Sequence, residues 1–176
     1  MTGVQTCALP ISLSTEELNK VVVSSIGSGR RLRLAFSNPE FVVLAKRNEV
    51  LRGYLNSADY NLADGIGLVW GVRLKYGLKI ERLTGTDFTE AMAAISAKHG
   101  YKIFLLGGKP GVADRAATCL KSRHPGSVFV GVRDGYFSQD GEESLLNEIN
   151  TAQPDFLMVC LGNICRSPLA EGILKH

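Results

Sequence analysis

Long hydrophobic runs are missing from this 176-residue chain: the longest unbroken apolar stretch, 156–161, is far too short to span a bilayer. Cysteine is sparse and scattered. Cys7, Cys119, Cys160 and Cys165 form no CxxC pair and no zinc-like spacing, which excludes a disulfide framework or a zinc ribbon. A reduced, cytoplasmic protein is the simplest expectation. Charge of one sign is also lacking. The net charge is only +3, and no basic run interleaves with aromatics, so nucleic acid is not expected as a partner. There is no Asp-x-Asp, which leaves a metal-bridged nucleotide-sugar site of that type unsupported; neither metal nor cofactor is expected. Repeats and low-complexity segments are absent too.

What is present is an ordinary globular composition, long enough for one domain with a real core. Residues 1–12, MTGVQTCALPIS, stand apart. They lack the basic start and apolar stretch of a signal peptide, so export is not expected. They resemble translated sequencing-adapter sequence and are expected to be non-native; the alternative is a disordered native tail.

From Leu13 onward, strands and helices alternate. Ser14 to Glu17 spells a capping box that opens a helix, with Leu18, Val21, Val22 and Ile26 at helical spacing. Leu32, Leu34 and Phe36 alternate as in a strand. Asn38-Pro39 starts a helical pattern that runs to about Leu55, with a break near 47–49. Tyr60 to Ala63 predicts a short strand and Ile66 to Tyr76 a helix. A loop over 77–86 leads to a helix over 88–98. Lys102 to Leu106 predicts a buried strand, Val112 to Arg123 a helix, 128–132 a strand and 142–150 a helix. Phe156 to Cys160 predicts a last strand and Pro168 to Leu174 a last helix. This order predicts an α/β fold: a doubly wound, mainly parallel sheet with helices on both faces, Rossmann-like, in a single domain. Ligands in such sheets bind beyond the carboxyl ends of the strands. The loops at Ser37-Asn38, Asp64-Gly65, Gly107-Gly108, Asp134-Gly135 and 160–166 are therefore the ones to watch.

Asp64 follows a strand and precedes a helix, a location that suits a general base taking a proton from a sugar hydroxyl. The plainer reading is an Asp-Gly turn in which Asp64 caps the helix. The glycine-rich turn Gly107-Gly108-Lys109-Pro110-Gly111 lets backbone amides approach a diphosphate, though it is neither the GxGxxG fingerprint nor a Walker loop.

The constellation is more specific than its parts. Leu-Ala-Asp64-Gly-Ile-Gly, Glu81-Arg-Leu-Thr-Gly-Thr-Asp87, Phe-Leu-Leu-Gly-Gly-Lys-Pro-Gly111, Asp-Gly-Tyr-Phe137 and Pro154-Asp-Phe-Leu-Met-Val159 occur in that order. Together, over residues 13–159, they resemble the WecG/TagA/CpsF glycosyltransferase family. That resemblance implies inverting transfer of an N-acetylmannosamine-type sugar from a UDP donor to a polyprenyl-diphosphate-linked acceptor, in bacterial cell-surface polysaccharide synthesis such as teichoic acid synthesis. It implies Asp64 as catalytic base, with Ser37 and Asn38 (usually Thr-Asn in the family) orienting substrate. It implies Arg82, Thr84, Gly85 and Asp87 in the same cleft, and Gly107, Gly108, Lys109, Gly135 and Tyr136 as donor contacts. A cytoplasmic location, peripheral to the inner face of the membrane, is also implied. The family's glycine-rich turn, Pro-Lys-Gln-Glu-like segment and basic C-terminal region do not follow Val159. A C-terminal truncation with weakened membrane contact and impaired activity is therefore expected, and a homo-oligomer is left open.

The tail over 160–176 has a chemistry of its own. Cys160-x5-Arg166-Ser167, between a predicted strand and helix, places a thiol where loop amides and a guanidinium cradle phosphate. Val-Cys-Leu-Gly-Asn-Ile-Cys-Arg-Ser-Pro-Leu-Ala-Glu resembles the phosphate loop of low-molecular-weight protein tyrosine phosphatases. That implies Cys160 as nucleophile, Arg166 as phosphate clamp, and Asn163 and Ser167 as loop orienters. The match covers only about 159–174, without the downstream acid or most of that fold. Two alternatives stand beside the glycosyltransferase reading: a phosphatase-like site, and an inactive chimeric fragment that only binds nucleotide.

Overall fold

The computed structural model describes residues 13–159. Its elements run α1 (Thr15–Gly27), β1 (Leu34–Ser37), α2 (Pro39–Ala45), α3 (Glu49–Ser57), β2 (Tyr60–Ala63), α4 (Ile66–Tyr76), α5 (Gly85–His99), β3 (Lys102–Leu106), α6 (Val112–Arg123), β4 (Val128–Arg133), α7 (Gln139–Ala152) and β5 (Phe156–Val159). Every strand pairing is parallel, with helices between the strands. The architecture is α/β and consistent with a Rossmann-like fold. The strands form two ladders, β1-β2 and β4-β3-β5. Hydrophobic patterning dictates that a segment is a strand; which strands become neighbours is a property of the folded chain. The chain divides into two compact units, with the boundary between Phe88 and Thr89 inside α5.

In the first unit, α1 begins as its capping box dictates. The Ser14 amide and hydroxyl donate to Glu17 Oε2, each at 2.8 Å, and the Glu17 amide donates back to Ser14 Oγ at 3.2 Å. β1 starts two residues later than the alternation at Leu32 suggests. Arg33 is occupied differently: its amide donates to Asp59 Oδ2 at 2.8 Å and its carbonyl accepts from the Asp59 and Tyr60 amides. The break expected near 47–49 separates α2 from α3, and the Asn48 side chain caps α3 by accepting from the Leu51 amide at 3.0 Å. Ala63, Val72 and Ile80 form a small core, with Leu68 and Val69 packed against it.

In the second unit, β3 lies between β4 and β5. Phe104, Leu106, Leu145 and Ile149 form its core, so α7 covers the sheet through Leu145 and Ile149. The β3–β4 register slips between Ile103 and Phe104: Ile103 opposes Phe129, but Phe104 opposes Gly131. A Cβ on Gly131 would fall within the Phe104 ring. Glycine there makes room for an aromatic side chain that is completely buried.

Candidate functional site

In the first unit, β1 and β2 run parallel and in register, with Ser37 opposite Ala63, so both strands deliver their following residues to one rim. The Asp64 amide extends the ladder by one bond, donating to the Ser37 carbonyl at 2.7 Å. The next residue, Gly65, has φ 111°, a conformation that L side chains rarely adopt, and it is the N-cap of α4. That turn carries no side-chain cap, so the Asp64 carboxylate does not cap α4 as an Asp-Gly turn would suggest. Its Oδ2 instead accepts from the Gly85 amide at 3.3 Å, at the first residue of α5. The carboxylate thus sits where the unpaired amides of a helix N-terminus concentrate positive potential.

The other residues expected around Asp64 fall into three groups. Ser37 is buried, and its hydroxyl donates to the Asn61 side-chain oxygen of β2, also buried. It locks the ends of β1 and β2 together. Asn38 caps α2, accepting from the Phe41 amide at 2.9 Å. Thr84 caps α5, accepting from the Asp87 amide at 3.0 Å through its hydroxyl. That cap starts α5 at Gly85 rather than at Phe88, and so brings Gly85 to Asp64. Arg82 and Asp87 have exposed side chains. Between them, Leu83 is buried and its amide donates to the Ala63 carbonyl at 3.0 Å, stitching the 77–84 loop to the end of β2. The Phe36 and Phe88 rings, with centroids 5.1 Å apart, pack beside this arrangement.

In the second unit, β3 and β4 are likewise parallel, and their following loops are tied backbone to backbone. The Gly107 amide donates to the Arg133 carbonyl at 2.8 Å, and the Gly135 amide to the Gly108 carbonyl at 3.0 Å. Two of the amides expected near a diphosphate are therefore engaged. Among the described residues, those of Gly108 and Lys109 have no such partner. Gly107, Gly108 and Gly111 all have positive φ, and Gly111 is the N-cap of α6 without a side-chain cap. Lys109 is exposed. The Tyr136 amide donates to Asp134 Oδ1 at 2.9 Å, an Asx turn that presents an exposed Tyr136 ring.

Three residues emerge that the sequence did not single out. Asn61 holds the Ser37 hydroxyl, and its only signal is a polar side chain inside the apolar strand Tyr-Asn-Leu-Ala. Phe88 pairs with Phe36 across a long sequence separation. Arg115 lies over the 107–111 loop, with Nη1 3.3 Å from where a Cβ on Gly111 would stand. Cys160, Asn163, Arg166 and Ser167 lie outside the described residues, as do residues 1–12 and the helix expected at 168–174.

A family model described as "Glycosyl transferase WecG/TagA/CpsF family" matches residues 4–165. The chain belongs to that family and is accordingly a glycosyltransferase of cell-surface polysaccharide synthesis, acting on a sugar donor and an acceptor. Among the described residues, no helix is long and apolar enough to cross a membrane.

Proposed function

We propose that this chain transfers an N-acetylmannosamine-type sugar from a UDP donor to a polyprenyl-diphosphate-linked acceptor, with inversion, at the inner face of the bacterial membrane. Asp64 is the base. Its carboxylate takes the proton of the acceptor hydroxyl while that oxygen bonds to the anomeric carbon. The bond from that carbon to the donor phosphate breaks, and UDP leaves with the electron pair. The supporting observation is the anchoring of Asp64: one carboxylate oxygen is bound by the Gly85 amide. The other oxygen has no hydrogen bond among the described residues, so a proton acceptor remains in a defined orientation. Ser37 and Asn38 act as positioning residues, because their side chains fix the strand end and the helix that flank Asp64. The donor contacts are assigned to the 107–111 loop, through the Gly108 and Lys109 amides and the Lys109 side chain, and to Gly135 and Tyr136.

The test is Asp64→Asn. The substitution keeps the acceptor atom for Gly85 and removes the base. Transfer should fall by about 10²–10⁴-fold while affinity for UDP stays within twofold or so of the parent, read by titration calorimetry. Unaltered transfer would remove Asp64 as base. Loss of UDP binding in step with activity would assign Asp64 to the donor site instead.

A further inference from the structure

Neither backbone nor packing asks for a glycine at position 85. Gly85 is the first residue of α5, and its φ lies outside the positive values that favour glycine. A Cβ there would meet the Phe36 ring at 3.7 Å and Asp64 Oδ2 at 3.9 Å, ordinary contact distances without a clash. Alanine in that place would favour the helix. What glycine leaves is a gap bordered by an aromatic ring and by the carboxylate.

The ring is held there by its own partners. Ala35 and Ser37 are buried on one face of β1, and Phe36 alternates to the other face with part of its surface exposed. Phe88, one turn after Gly85 on α5, braces it, with ring centroids 5.1 Å apart and planes inclined at 40°. Asp64, Gly85 and Phe88 are also partly exposed, so the gap is not sealed in the core.

The chemistry of the two borders identifies an occupant. A carboxylate accepts from hydroxyls, whereas a phenylalanine face takes C–H groups and offers no hydrogen bond. A pyranose presents both: hydroxyls around its edge, and a patch of axial C–H groups on its face. A bare lipid chain would leave the carboxylate facing hydrocarbon. A nucleobase would need polar partners for its edge, and a phenylalanine pair supplies none.

We infer that Phe36, braced by Phe88, is a specificity-determining wall of the acceptor site. The C–H face of the acceptor's pyranose ring packs on it across the gap at Gly85, while a hydroxyl of that ring reaches Asp64. The inference rests on the reading of Asp64 as the acceptor's base and adds what holds the sugar against it.

The test reads binding without turnover. Failed transfer, or unaltered transfer by Asp64→Asn, therefore counts against the base and leaves the wall to be judged by affinity. Two probes are titrated calorimetrically into the full chain: farnesyl diphosphate, and the same molecule glycosylated with D-glucose, whose substituents beyond C1 are all equatorial. The glycosylated probe should bind about fivefold more tightly or better. Phe36→Leu should remove most of that advantage and leave the affinity for farnesyl diphosphate unchanged. Phe36→Tyr, which keeps the aromatic face, should retain it. Gly85→Ala fills the gap and should abolish the advantage without lowering the melting temperature. This variant decides the matter if Phe36→Leu fails to fold. Equal binding of the two probes by the parent would overturn the proposal. So would an undiminished advantage in folded Phe36→Leu or in Gly85→Ala.

Discussion

At the carboxyl ends of β1 and β2 side chains hold the rim together; at those of β3 and β4 the backbone does. Ser37, Asn38, Asp64 and Thr84 each spend a side-chain oxygen on a hydrogen bond that fixes a strand end or a helix start. Across the second rim, Gly107 and Gly135 are tied through their amides to carbonyls of the neighbouring strand or loop. The difference separates two kinds of vulnerability. Removing atoms damages the first rim, because each side chain is a bond to a specific partner. Adding atoms damages the second unit, because its glycines make room for something else.

Substitutions can break that contrast in order of size. Beyond the loss of transfer at Asp64, the largest effect is expected from an addition, Gly131→Ala. The new methyl would occupy the space of the completely buried Phe104 ring, so the ring or the strand must shift. A destabilisation of about 1–3 kcal/mol is expected, read as a lower urea midpoint. An unchanged midpoint would show that the β3–β4 bulge relaxes freely.

Ser37→Ala comes next, as a removal. It leaves the buried Asn61 oxygen without its donor and should cost about 1–2 kcal/mol. A double variant with Asn61→Ala should recover part of that loss, because both polar groups are then gone. If Ser37→Ala lowers transfer without lowering stability, the hydroxyl touches substrate and the positioning role is wrong. Asn38→Ala, which loses only the α2 cap, should cost about 1 kcal/mol.

A smaller effect tests electrostatics within the second unit. The Glu90 carboxyl is held below its usual value of 4.5, chiefly by its hydrogen bond with His124 and next by that with Arg123. A carboxyl depressed in the folded state stabilises above the ordinary carboxylate range, and the contribution fades as pH falls through its folded value. Glu90 is partly exposed, so the contribution is screened and small. Wild type should unfold at a higher urea concentration than Glu90→Gln at pH 7, and the gap should narrow as pH falls below the ordinary carboxylate range. A gap that persists in acid would contradict the sign. The smallest expectation is zero: Cys160→Ser should leave sugar transfer unchanged, and a large loss would bring the tail into the active site.

Much of this was legible in the sequence wherever the cause is local. The Ser14–Glu17 box, the Asn38 cap before Pro39, the Asn48 break and the strand Lys102 to Leu106, buried from Ile103 on, depend on neighbours a few residues away. Asp64 was legible as a rim residue for the same reason, since it directly follows a strand. Its partner was not. Gly85 is 21 positions on, and it is available only because Thr84 caps α5 earlier than the apolar pattern suggests. The Phe104–Gly131 accommodation was hidden for a related reason: a one-residue slip in register leaves no trace in periodicity. Nor could apolar content alone show that α4 would leave Ile66, Trp70 and Leu74 uncovered, because a helix apolar all round reads as a core helix.

The proposed transfer requires that the folded body of this chain bind UDP, whatever its tail can bind. The direct measurement is calorimetric titration of the full chain with UDP, followed by the same titration in excess inorganic phosphate. Saturable binding of one UDP per chain, little affected by phosphate, is the predicted result. No heat with UDP, together with saturable binding of phosphate, would contradict it and leave the Cys160–Arg166 loop as the formed site.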